Sequence, residues 1–118
     1  MQVMTTLPQE NLNDVPRAAR NAEMVGFDMV ATMENRYEPF MPLAAAAIST
    51  KTINIGTAVA IAFPRSPMVV ASTCWDLNNA SGGRFVLGLG PQIEPHNEKR
   101  FSVPSVSYTH LTLPTKRI

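Results

Sequence analysis

A single cysteine, Cys74, stands in this chain of 118 residues, so no internal disulfide can form and the count fits a reducing compartment. Charge is scarce too. Charged residues make up 16% of the chain, against roughly 25% in an average globular protein. That deficit excludes the disordered class, which combines low hydrophobicity with a large net charge. Ten basic and nine acidic residues leave a formal charge of +1, so no polyanion-binding field is present and nucleic acid is not an expected partner. The longest apolar run, around residues 57–63, is far short of the roughly 20 residues that span a bilayer. Met1-Gln2-Val3-Met4-Thr5 lacks the basic stretch and apolar segment of a secretory signal. His96 and His110 are the two histidines, and no Cys/His pair has metal-ligand spacing, so no metal is expected. Hydrophobic residues, at 45%, are numerous enough for the core of one domain. These counts lead to the expectation of a soluble cytoplasmic protein.

Short apolar runs alternate with helical patterns. Gln2–Leu7 reads as a strand. Asp14 is placed to cap a helix whose apolar residues, Val15, Ala18, Ala19, Ala22 and Val25, recur at helical spacing, and Gly26 stands where a helix C-terminal glycine belongs. Asp28–Met33 is a second run, Pro42–Ser49 a small alanine-rich helix, and Ile53–Val59 a third run suited to a buried parallel strand. Ser66-Pro67 opens a third helix, with Val70, Cys74 and Leu77 beside a stripe of Ala71 and Trp75 as its apolar face. Gly82-Gly83 ends it and Arg84–Leu89 makes a fourth strand. This βα alternation predicts an α/β fold, either a small doubly wound sheet or half of a (β/α)8 barrel. Either architecture gathers its site at the C-terminal ends of the parallel strands.

Four segments qualify there: Thr5-Thr6, residues 34–38, residues 56–59 with Phe63-Pro64-Arg65, and residues 88–92 through His96-Asn97. Gly88-x-Gly90 after a strand resembles the start of a dinucleotide fingerprint, but position 93 is Ile93 and Pro91 interrupts the turn. The pair permits a tight backbone turn, and close approach of a planar ligand is the favoured reading. Glu34 and Glu38 flank Arg36 in a loop, where either carboxylate could pair with that arginine. Cys74, inside an apolar stripe, reads as a small buried hydrophobe rather than a nucleophile. Arg65, just before the third helix, is placed to assist an anion or to lie solvated.

Taken together, several stretches resemble the luciferase-like monooxygenase superfamily, in its coenzyme F-420-dependent oxidoreductase branch. They are Ala22-Glu23-x-x-Gly26-Phe27-Asp28, Glu34-x-Arg36-Tyr37-Glu38-Pro39-Phe40, Ile55-Gly56-Thr57-Ala58-Val59 on to Ala62-Phe63-Pro64-Arg65-Ser66-Pro67, Trp75-Asp76-Leu77, Ser81-Gly82-Gly83-Arg84-Phe85-Val86-Leu87-Gly88-Leu89-Gly90, and Pro95-His96-Asn97-Glu98-Lys99-Arg100-Phe101. The resemblance covers residues 1–104. It implies the N-terminal half, about four βα units, of a (β/α)8 TIM barrel, with a cofactor ring across the C-terminal mouth. It also implies a cis peptide at Ala58–Val59 against that ring, ring support from Gly56, Thr57, Ala58 and Val59, and further cofactor contacts from Gly90, Gln92, His96 and Asn97. Asn35, Arg36 and Arg65 would line the substrate side, and Glu34 and His96 are the candidate acid–base residues.

Two departures from the family pattern stand out. Asn35 replaces a histidine that many relatives carry, and an amide cannot transfer a proton at neutral pH. Pro91 stands where close relatives often have threonine. From Ser105 to Ile118 the chain leaves the pattern and resembles a translated sequencing-adapter read-through, so 105–118 is expected to be non-native. A terminal strand through Val106, Tyr108, Leu111 and Leu113 is the alternative. The resemblance therefore implies part of an oxidoreductase that moves hydride between coenzyme F-420 and a small-molecule organic substrate, homodimeric when intact. FMN in a luciferase-like monooxygenase is the second reading, and an inactive α/β fragment or binding module the third. A four-stranded half would leave two sheet edges and one sheet face uncovered, which predicts aggregation, a molten state or pairing of copies.

Overall fold

Met4–Thr6 extends as β1 and hands the chain to a single 3-10 turn, Leu12–Asp14, in the structure, a computed structural model that describes residues 1–91. Asn11 caps this turn by accepting the Asn13 N–H at 3.0 Å. Asp14 then occupies the N-cap of α1 (Val15–Val25) without a side-chain cap bond, because the turn has already brought it into helical conformation. Gly26 closes α1 with φ 106°, and the N–H groups of Gly26 and Phe27 both reach the Ala22 carbonyl. That left-handed φ is open to glycine at no steric cost.

Next come β2 (Met29–Thr32), α2 (Phe40–Ser49), β3 (Asn54–Thr57) and β4 (Ala60–Ile61). Helix α2 begins two residues earlier than the alanine run suggests, since a Glu38 carboxylate oxygen accepts the Met41 N–H at 2.6 Å. Helix α3 (Pro67–Ala80), β5 (Phe85–Val86) and β6 (Leu89–Gly90) follow. Proline at the first helical position sacrifices no hydrogen bond. Ser81 caps the end of α3, and Gly82 and Gly83 turn the chain with φ 66° and 88°.

The sheet is parallel throughout, ordered β1-β2-β3-β5, and a second parallel pair joins β4 to β6. The expected third strand thus ends early, at Thr57, with β4 lying beyond its expected end at Val59, and the expected fourth is broken in two. Both bend at the same level, near Ala58–Val59 and Gly88, and resume pairing one step on. Register places Thr5, Val30, Ile55 and Phe85 on one face. Val30 and Ile55 are fully buried there against Val15, Ala19, Leu43, Ala46 and Leu77 of the helices. On α3 the stripe that packs is Val70, Cys74 and Leu77. The expected partner stripe of Ala71 and Trp75 faces solvent, with Trp75 76% exposed, because it lies about 100° further round the helix. Among the described residues no helix is long and apolar enough to cross a membrane.

Two charged side chains tie the N-terminal side of the sheet together. Glu23 on α1 accepts three backbone N–H groups with one carboxylate oxygen, from Lys51 at 2.9 Å, Thr52 at 2.7 Å and Ile53 at 3.0 Å, and the Thr52 hydroxyl as well. Arg84 spends all five of its N–H donors on oxygens of Ala47, Thr50, Ile53 and Ser81. It thereby joins the C-terminal ends of α2 and α3, where carbonyls carry partial negative charge, to the start of β3.

Candidate functional site

Because β2, β3 and β5 are parallel and in register, their C-terminal ends form one rim. The chain between β3 and β4 crosses that rim, and its Ala58–Val59 peptide is cis, at the bond the resemblance implied. Neighbouring backbone fixes this segment from both sides. The Ala58 N–H donates to the Thr32 carbonyl at 2.7 Å and the Glu34 N–H to the Val59 carbonyl at 3.3 Å. Opposite them, the Ala60 and Ala62 N–H groups donate to Gly88 and Gly90 at 2.8 and 2.9 Å. Thr57, 3% exposed, adds a reciprocal pair: its hydroxyl donates to the Gly88 carbonyl at 2.7 Å and accepts the Gly88 N–H at 2.9 Å.

This clamp explains the glycine pair. A Cβ on Gly88 would strike the Thr57 carbonyl, and one on Gly90 would lie 2.8 Å from a Val59 methyl. Leu89 and Gly90 form a strand rather than the loop before a helix that a dinucleotide fingerprint needs, so that reading fails. The crowding over the glycines comes from the chain itself. What the rim presents outward is apolar: Val59, Leu87 and Leu89 are each between 38% and 46% exposed. Gly56 lies deeper, on the sheet face away from the helices, beneath the end of the Met29 side chain.

Glu34 and Arg65, 31 residues apart, meet at the edge of this rim. Glu34 is 5% exposed, and its two oxygens accept the Arg65 guanidinium as a fork, at 2.5 and 2.8 Å. The same carboxylate accepts the Ile61 N–H at 2.6 Å, and Arg65 donates to the Ile61 carbonyl at 2.7 Å. Glu38 approaches the other side of Arg65 at 3.6 Å, and the Phe40 ring lies 5.2 Å from the guanidinium carbon. Glu34 and Glu38 thus both turn to Arg65, and the expected pairing with Arg36 is corrected: Arg36 stacks over Tyr37 at 5.9 Å. Arg65 is neither solvated nor an open anion site, since two carboxylates already neutralise it. Each of these residues is visible in the sequence, but nothing local signals their pairing, which depends on the fold bringing the ends of β2 and β4 together.

Asn35 and Arg36 are exposed beside the rim. Gln92, His96 and Asn97, together with the 105–118 tail and its His110, lie outside the described residues. Burial pushes the Cys74 thiol upward from its ordinary value, in keeping with a packing role. Among the described residues no group of three metal-ligating side chains gathers.

Comparison with known proteins gives these positions a setting. The luciferase-like monooxygenase family matches residues 1–112. An uncharacterized protein of Mycobacterium tuberculosis is 50% identical over 95 residues, which is 78% of this chain and 28% of that protein. This chain therefore spans little more than a quarter of that relative's length. The solved coenzyme F-420-dependent tetrahydromethanopterin reductase of Methanopyrus kandleri superposes with a TM-score of 0.74 at 26% identity, over 84% of this chain and 29% of the reductase. The oxygenating constituent of 3,6-diketocamphane monooxygenase from Pseudomonas putida, solved in complex with FMN, gives 0.73 at 20% identity over 90% and 34%.

Proposed function

The chain belongs to the luciferase-like monooxygenase family, its α/β fold being part of that family's (β/α)8 barrel, and from that premise we propose that it forms part of an oxidoreductase that transfers hydride between coenzyme F-420 and a small organic substrate. The observation that carries the choice of cofactor is the 26% identity, over 84% of the chain, to a reductase described as F-420-dependent. The FMN-complexed neighbour stands at 20% and supports a second reading, an FMN-dependent monooxygenase.

The rim fits a flat ring. Its outward members Val59, Leu87 and Leu89 are apolar and partly exposed, and the backbone that carries them is hydrogen-bonded on both sides. Gly56, Thr57, Ala58 and Val59 would hold the ring, with Gly90, Gln92, His96 and Asn97 as further contacts, and Asn35 and Arg36 would face the substrate. When bound, the deazaflavin supplies the hydride chemistry. The residues of this chain would support the ring and keep water from it. A fixed support of this kind acts through positioning, which contributes only when the reacting atoms are held at contact distance.

Barrels of this kind frequently bind phosphate near strands seven and eight, so this chain alone is proposed to be inactive, and the intact enzyme, proposed to be a homodimer, to be the catalyst. Fluorescence titration of the intact enzyme with coenzyme F-420 and with FMN tests the assignment. Saturable binding of the deazaflavin, with FMN at least about tenfold weaker (a difference of 1.4 kcal/mol), is the expected result. Tight binding of FMN alone would transfer the assignment to the monooxygenase reading, and turnover by the isolated 118 residues would refute the proposed inactivity.

A further inference from the structure

Glu34 stands in the sequence as a candidate acid–base residue, yet its surroundings at the rim describe another task. The carboxylate is 5% exposed, and both of its oxygens accept from Arg65. Oε1 accepts from both Arg65 and the Ile61 N–H and Oε2 from Arg65, so little of this buried carboxylate is left to face a substrate. The residue that reaches solvent at this point of the rim is its neighbour Asn35.

What the pair grips is a single residue of β4. Glu34 takes the Ile61 N–H at 2.6 Å, and the Arg65 guanidinium that binds Glu34 also takes the Ile61 carbonyl at 2.7 Å. Carboxylate, guanidinium and Ile61 backbone close into a ring of bonds. Two backbone bonds reinforce it from the same strand end, Ala58 N–H to Thr32 and Glu34 N–H to Val59. Positions 58, 59 and 61 are therefore held toward β2, while 60 and 62 are held toward β6. Val59, between these grips, is left 44% exposed above the rim. Charge-assisted and bidentate bonds are both stronger and more directional than neutral ones, which suits a group that must fix a short segment at one height. Arg65 is steadied in turn by Glu38 and by the Phe40 ring.

We infer that Glu34 is a positioning residue: paired with Arg65, it sets the 58–61 segment at the height where the cofactor ring rests, and it transfers no proton. The inference rests on the cofactor reading given above. It is tested on the intact enzyme with Glu34→Gln, Glu34→Ala and Arg65→Lys. Three readouts are needed: hydrogen exchange at the Ile61 amide without cofactor, affinity for coenzyme F-420 by fluorescence, and kcat at saturating cofactor. Glu34→Ala is expected to speed Ile61 exchange and to weaken F-420 binding, each by about tenfold, as for loss of one charge-assisted hydrogen bond. Arg65→Lys, which keeps the charge and loses the fork, moves both in the same direction by less. Glu34→Gln, which keeps an acceptor for Ile61 and guards against a variant that fails to fold, lies between them. With cofactor saturating, kcat falls in the same order across the three variants, since a ring resting at the wrong height no longer holds the reacting atoms at contact distance.

Loss of kcat in Glu34→Gln with unchanged F-420 affinity and a harmless Arg65→Lys would overturn the inference and restore an acid–base role. Faster Ile61 exchange with unchanged F-420 affinity would overturn it too, while leaving the cofactor reading intact. Wild-type enzyme that binds neither F-420 nor FMN would fail the cofactor reading itself and carry the inference down with it.

Discussion

Glu23 shows how much a single side chain contributes when backbone donors converge on it. Its carboxyl is lowered to about 2, first by the Thr52 N–H and then, against some opposing desolvation, by the N–H groups of Ile53 and Lys51 and the Thr52 hydroxyl. The folded value lies below the unfolded value near 4.3, so the folded state binds the proton more weakly. The stabilisation is therefore complete above about pH 4.5 and is lost as pH falls toward 2. Glu23→Gln is expected to cost about 1 kcal/mol at pH 7, a figure kept small because the site is partly solvated. The gap should close by pH 2. Urea denaturation of both proteins at pH 7, 4 and 2.5 checks this, and a gap independent of pH would contradict it. Arg84 performs the complementary task with a cation. A lysine there offers three donors in place of a planar five, too few for the oxygens it serves.

The strands of this molecule depend on where side chains are missing. Gly56 in β3 lies within the parallel ladder, and a Cβ there would meet the Val86 carbonyl and Cβ as well as the Met29 methyl. The methyl can swing aside, whereas the carbonyl belongs to β5 and cannot move without opening the β3–β5 pairing. Gly56→Ala is expected to cost about 1–3 kcal/mol as an overpacked site. Gly26→Ala meets open space and is expected to cost only about 1 kcal/mol, for its left-handed φ. Urea midpoints of the two variants rank them, and equal costs would mean that β3 and β5 yield more easily than the geometry implies. The broken strands follow the same logic. Gly88 and Gly90 let the turned chain at Thr57 and Val59 press against β6, and the two strands bend as a pair.

At the scale of the whole molecule, the two faces of the sheet are unequal. Helices cover the face of Val30 and Ile55, which are fully buried. The opposite face carries Met4 at 53% and Val86 at 48% exposure. Among the described residues β1 and β5 have one sheet neighbour each, so both present unpaired backbone groups to solvent. An apolar face with open edges is an association surface. The 118-residue chain is therefore expected to bind an apolar fluorescent dye and to elute from size exclusion above its 12.9 kDa mass. A dye-silent monomer that melts cooperatively above about 55 °C, within the usual mesophile range, would contradict this.

The order of strands and helices was legible in the sequence because each rests on local chemistry. Gly26 can end α1, Pro67 can open α3, and the β-branched run before Val59 can fill a buried strand, whatever surrounds them. The resemblance carried by Ile55 to Pro67 and Ser81 to Gly90 likewise located the rim, since backbone geometry repeats wherever such stretches recur. Tertiary structure decided what no local pattern encodes. Helical periodicity showed that α3 had an apolar side, but only its neighbours determined that Val70 and Leu77 pack while Trp75 faces water. Glu34, Glu38 and Arg65 were each visible as charges. Their union needed the chain between Glu34 and Arg65, 31 positions apart, to fold two strand ends against each other. A buried charge is tolerated only where a partner of opposite sign arrives, and the arrival of that partner is a property of the fold.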